Sequence, residues 1–173
     1  MRLTTVIFII VLFSACKWKD RDGASTHAAV NWENRAVQLQ HLDSLSTGST
    51  YLSVYSEIYQ KSQERTYDLT VTVSMKNISE ADTVYILSAK YYSTNGELIR
   101  TYFEKPIYIS PLETLEIVIG ENDKSGGTGA NFIFDWAAPQ LAHEPFFEGV
   151  MISTTGSQGL SFTTQGILRG VKP

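Results

Sequence analysis

The chain has 173 residues, with 14 Lys and Arg against 18 Asp and Glu for a net charge of −4. That balance lacks the basic footprint a nucleic-acid-binding protein needs. The single cysteine rules out an internal disulfide. Nine tyrosines and eight phenylalanines favour strands over helices.

Residues 1–15 read as a lipoprotein signal peptide. Arg2 supplies the positive charge, residues 6–13 are an unbroken apolar run, and the small residues Ser14 and Ala15 precede Cys16. The run falls short of the ~20 apolar residues that span a bilayer as a helix. Small side chains just ahead of a cysteine resemble a bacterial lipobox, with Phe13 standing where Leu is usual. The expectation is that Cys16 is acylated and kept as a membrane anchor. Stable anchoring takes more than one chain, at ~0.8 kcal/mol per buried methylene. Lys17 occupies the position where Asp would signal inner-membrane retention, which points to the outer membrane as the location. Loss of the leader removes Arg2 and leaves a chain of 158 residues with a net charge of −5, enough for one domain.

Residues 16–46 are expected to be the lipidated cysteine and a polar tether. Residues 17–26 are polar and without periodicity. Over residues 31–45, Trp32, Ala36, Leu39, Leu42 and Leu45 fall near helical spacing, so this part is expected to be partly ordered. Residues 47–170 are expected to form the folded domain. Tyr67, Leu69, Val71, Val73 and Met75 alternate with polar residues through Lys76, the pattern of a half-buried strand. A polar loop over 77–82 leads to a β-branched and aromatic run over 83–93. Asn95-Gly96 signals a hairpin, because both positions tolerate positive φ. Its partner covers 98–103. Short strands follow over 106–109, 114–119, 132–136, 149–153 and finally 160–164. Roughly eight or nine short strands with turn residues between them predict an all-β fold, an antiparallel β-sandwich. No helical pattern alternates with them, which argues against a parallel α/β fold.

The densest punctuation is the glycine-rich stretch 120–132, with four glycines among Glu121, Asn122, Asp123, Ser125, Thr128 and Asn131. Glu121, Asp123 and Ser125 followed by Gly126 repeat the opening spacing of a calcium loop, in which oxygen ligands alternate before a sharp turn. Phe132 stands where such a loop needs a bidentate Glu, and no flanking helices are predicted. With Asn131 and Asp135 as later oxygen donors, Glu121, Asp123, Ser125, Asn131 and Asp135 are the candidate ligand-binding residues. The competing reading is a connection whose glycines supply positive φ.

No catalytic set stands out. His27 and His41 lie in the tether, so only His143 could serve a domain-borne triad. His143 with Met75 and Met151 lacks the spacing of a copper site, and zinc lacks ligands once Cys16 is the anchor. The chain is expected to be neither an enzyme nor cofactor-dependent. Asn77-Ile-Ser79 has the glycosylation pattern, which a bacterial lipoprotein does not use. Of Tyr91, Tyr92, Tyr102, Phe103 and Tyr108, half should face the core.

Several phrases resemble an uncharacterised bacterial family of exported β-rich domains: Val54-Tyr-Ser-Glu-Ile-Tyr59, residues 69–77, residues 90–96 and residues 106–112. The most specific is Asp123-Lys-Ser-Gly-Gly-Thr-Gly-Ala-Asn-Phe132, followed by Trp136 and residues 149–156. The resemblance covers roughly residues 47–168. It implies an immunoglobulin-like or fibronectin-like sandwich and no assigned activity. The expected function is therefore a non-catalytic binding module of the cell envelope, held by its lipid anchor and meeting a protein or glycan partner. The alternative is a calcium- or small-ligand-binding domain using the glycine-rich loop.

Overall fold

The computed structural model describes residues 30–40, 42–154 and 159–172. The leader and Cys16 lie outside these residues. One turn of helix, α1 (Trp32–Arg35), precedes twelve strands: β1 (Leu45–Val54), β2 (Glu57–Gln60), β3 (Ser62–Asp68), β4 (Thr70–Lys76), β5 (Val84–Tyr92), β6 (Leu98–Thr101), β7 (Ile107–Ile109), β8 (Thr114–Ile119), β9 (Ala130–Pro139), β10 (Phe146–Ser153), β11 (Leu160–Gln165) and β12 (Ile167–Lys172). A six-stranded sheet runs β12-β1-β9-β5, and the far edge of β5 is shared between β6 and β7. A four-stranded sheet runs β11-β10-β4-β8, and β2 and β3 form a separate hairpin. All pairings are antiparallel. The fold is a β-sandwich, as the strand pattern predicts.

The core lies between the two larger sheets. Alternation aims Leu52 and Val54 of β1, Phe132, Phe134 and Trp136 of β9, and Ile86, Ala89 and Tyr91 of β5 at Val71, Val73 and Met75 of β4, with Ile117 and Ile119 of β8 and Phe147 and Met151 of β10. A ladder of rings crosses this interior. Tyr91 stacks on Phe132 at 4.8 Å, Phe132 on Phe134 at 5.3 Å, and Phe134 reaches Phe147 of the opposite sheet at 4.3 Å. Such pairs add roughly 0.5–1.5 kcal/mol each beyond the area they bury. Trp136 donates its indole N–H to Thr50 Oγ1 at 3.0 Å, which satisfies the one polar atom of the largest core residue. The ring fits only because Gly48 faces it: a Cβ there would stand 2.2 Å from the indole.

Four features depart from the strand pattern. The alternation over 67–76 is two strands, broken at Leu69, whose N–H bonds Ser56 O at 2.9 Å as the chain leaves the hairpin for the four-stranded sheet. In β5 the register against β9 shifts between Ile86 and Ser88, so Leu87 bulges and the buried set resets from Val84 and Ile86 to Ala89 and Tyr91. Asn95-Gly96 does make a hairpin, but through three residues. Ser93 N–H bonds Glu97 O, Gly96 N–H bonds Ser93 O, and only Gly96 takes a positive φ, +81°. Finally, residues 160–165 are not the last strand, since β12 follows and pairs with β1.

The folded body also extends beyond residues 47–170. β1 starts at Leu45, and the segment predicted as tether packs against the β7 edge. Ala36 bridges Ile107, Val37 N–H bonds Pro106 O at 2.8 Å, and Trp32 lies 5.3 Å from Phe103. Asn31 caps α1 through its side chain. Among the described residues no helix is long and apolar enough to cross a membrane.

Candidate functional site

The glycine-rich stretch joins β8 to β9 at the end of the sandwich that also carries the β1–β2 bend and the β5–β6 turn. Its only regular piece is a single 3-10 turn, Gly127–Gly129. The backbone is nonetheless tied on several sides. Gly127 O accepts from Ser56 N–H at 3.1 Å. Gly126 O accepts from both the N–H and the hydroxyl of Thr94, at 3.0 and 2.9 Å, and Thr94 Oγ1 accepts in turn from Gly129 N–H at 2.9 Å. Lys124 pairs with Asp68 at 2.9 Å on one side, and Asp123 with Arg100 at 3.1 Å on the other. Consecutive residues of the loop thus hold the base of the β2–β3 hairpin and strand β6.

Gly126 explains why the loop is glycine-rich there. A Cβ at this position would stand 1.9 Å from Tyr91 OH, 2.7 Å from Ser56 Oγ and 2.8 Å from Ala130 Cβ. The requirement is close approach, not positive φ, since φ is −72° at Gly126 and the left-handed conformation falls to Gly127 at +72°. The loop lies over a buried hydrogen bond of 2.9 Å between Tyr91 OH and Ser56 Oγ.

The electrostatics suit a clamp. Ser125 donates its hydroxyl and its N–H to Asp123 Oδ1, and Arg100 donates to Oδ2. These bonds, the serine hydroxyl foremost, hold the Asp123 carboxyl below its ordinary pKa. Arg100 also donates to Tyr102 OH at 3.2 Å with its guanidinium 5.6 Å from that ring, and its own pKa is raised by Tyr102 first and Asp123 second. Burial pushes the phenols of Tyr91 and Tyr102 up. Near neutral pH, then, the carboxylate is ionised and both phenols are protonated, with no group in this cluster poised to exchange a proton.

The structure brings Asp123 and Ser125 together and keeps the other three candidates apart. Glu121 is exposed on the loop. Asn131, at the foot of β9, accepts from Tyr51 OH and donates to Gly129 O at 3.2 Å. Asp135 lies further along β9 and accepts from Ser88 Oγ at 2.7 Å. Both oxygens of Asp123 are thus engaged by protein donors. Among the described residues no group of three or more His, Cys, Asp or Glu is placed to hold a metal ion. Asn77 of the glycosylation pattern is buried, its amide donating to Asp82 O and Ile109 O. Met75 and Met151 are core residues, and His143 is exposed. Sequence reasoning missed Arg100 and Ser56. Arg100 follows the Asn-Gly turn by four residues, so the hairpin itself was the available signal.

These features define an all-β sandwich domain with a polar clamp at one end. Residues 47–168 match the family described as protein of unknown function (DUF3124), and the chain belongs to that family. No curated protein matches the chain. A solved structure entitled "Crystal Structure of Thermotoga maritima 1070" is similar at 10% identity and a TM-score of 0.45, covering 69% of this chain and 92% of that one. A likeness of that size says nothing of function.

Proposed function

We propose that the protein is a lipoprotein of the bacterial outer membrane, a non-catalytic binding module held to the cell envelope through acylated Cys16. The observation that carries this reading is the position of Cys16. It closes a positively started apolar run behind two small residues, and it is the only cysteine of the chain. The body supports the reading. Its polar cluster at the glycine loop is engaged internally.

Two measurements test the two halves of the proposal. Mass spectrometry of the mature protein is expected to find an N-terminal peptide beginning at Cys16 and carrying acyl chains; an unmodified thiol overturns the anchor. Affinity capture from solubilised outer membrane is expected to retain a specific partner with the wild-type domain. Turnover of an envelope substrate by the purified protein would overturn the non-catalytic assignment.

A further inference from the structure

We propose that the hollow between α1 and the β6–β7 connection is a binding site for a saccharide ring, an inference that rests on the envelope-module reading above. The hollow measures about 580 Å³ and is lined by Trp32, Glu33, Tyr102, Phe103, Glu104 and Lys105. That size falls within the range of small-molecule pockets, roughly 300–1,000 Å³.

Its aromatic wall is held rigidly. Arg35 forms two parallel bonds to Glu113, 2.5 Å from Nη2 to Oε1 and 2.8 Å from Nη1 to Oε2, and lies 5.2 Å from the Tyr108 ring. This two-pronged pair, the Ala36–Ile107 bridge and the Val37–Pro106 hydrogen bond fix the segment that carries Trp32. Of the three rings that line it, Phe103 is buried and Trp32 and Tyr102 are half-buried. Trp32 and Phe103 are tilted by 46° with centroids 5.3 Å apart, so they pack on each other and leave no room for a ligand caged between them.

The rim selects the ligand class. Glu33, Glu104 and Lys105 are exposed, and no ion pair among the described residues uses them. Carboxylates accept hydrogen bonds and an ammonium donates them. Together they offer both acceptors and donors around the rings, which suits a neutral ligand with several hydroxyls. A sugar ring matches a half-buried indole beside such a rim, because its C–H face covers an aromatic ring and its hydroxyls both donate and accept.

The test is a titration of the detergent-solubilised full chain with chitotetraose, cellotetraose, maltotetraose and tetramethylammonium chloride. The indole N–H resonance of Trp32, assigned with Trp32→Phe, is the readout. At least one tetrasaccharide is expected to shift that resonance in the wild-type chain and saturate below about 10 mM; by isothermal titration calorimetry, which needs no indole, Trp32→Ala is expected to weaken binding about tenfold or more. Trp32→Tyr is expected to keep most of the affinity. Because Trp32→Ala also loosens the docking of α1, the exposed-residue variants Glu33→Gln and Glu104→Gln, expected to weaken binding several-fold, serve as the fold-neutral check. The site is overturned if no tetrasaccharide moves the resonance, if both glutamate variants bind as wild type, or if tetramethylammonium saturates where the sugars do not. A failed titration beside an acylated Cys16 and a captured partner overturns the saccharide site alone; an unacylated Cys16 overturns the anchor and leaves the titration standing.

Discussion

The glycine-rich loop and strand β12 have exchanged the roles their local structure suggests. The loop has one 3-10 turn, yet Gly126 O, Gly127 O and Gly129 N–H bond neighbouring segments, and Gly126 lies against a buried tyrosine. β12 is a regular strand with a ladder to β1, yet residues 167–171 are all exposed, Ile167 by 64%. A ladder hydrogen bond replaces bonds to water and nets only about 0.5–1.5 kcal/mol. Buried contact at close range and the penalty for orphaned polar atoms weigh more per residue. Cohesion in this molecule follows burial, not regularity.

The largest test of that comparison is Gly126→Ala. Its methyl group has to displace Tyr91 OH or move the loop, so a loss on the order of 2–3 kcal/mol is expected, read as a lowered urea midpoint with unchanged slope. Deletion of residues 167–173 is expected to cost less than this single methyl group; the opposite order breaks the comparison. Tyr91→Phe leaves Ser56 Oγ without its buried partner and is expected to cost about 1–2 kcal/mol by the same denaturation assay.

A smaller effect separates the loop's ion pair from its packing. The folded pKa of Asp123 is lowered, so its stabilising contribution is full above the ordinary carboxyl value of ~3.9 and is lost as pH falls through the lower folded value. Arg100 is 44% exposed on its side chain, which limits the pair to about 0.2–1 kcal/mol. Asp123→Asn is therefore expected to lower stability slightly at pH 7 and to narrow the gap between pH 7 and pH 3. A variant with an unaltered acid profile would remove Asp123 from the clamp. The smallest expected change lies outside both regions, at Leu112, an exposed leucine with φ +58° in the β7–β8 turn. Leu112→Gly relieves a left-handed side chain and is expected to raise stability by on the order of 0.5 kcal/mol, read as a small rise in melting temperature.

Much of the sandwich was legible because period-two patterns need no context. In β8, Leu115, Ile117 and Ile119 are buried where alternation places them, while Thr114 and Glu116 face out together with the apolar Val118. The same rule failed at Leu69 and Leu87, where alternation continues or stutters while the chain changes sheet or bulges, since a pattern of polarity carries no record of the strand's partner. β2 and β3 were missed because exposed residues 61–65 offer no buried face to read, and β12 for the same reason. Of the proposed ligand set, Asp123 and Ser125 lie two residues apart and meet through a local turn, while Asp135 is carried away along an extended strand.

By itself the sequence determined the all-β class and the place of most core strands, because these rest on composition and short-range periodicity. Only the tertiary structure decided that the glycines at 48 and 126 are there for close approach to Trp136 and Tyr91, that Arg100 and Lys124 tie the loop to two elements, and that residues 30–40 belong to the folded body. Those facts depend on groups far apart in the chain coming within a few ångströms, a distance that no local pattern encodes.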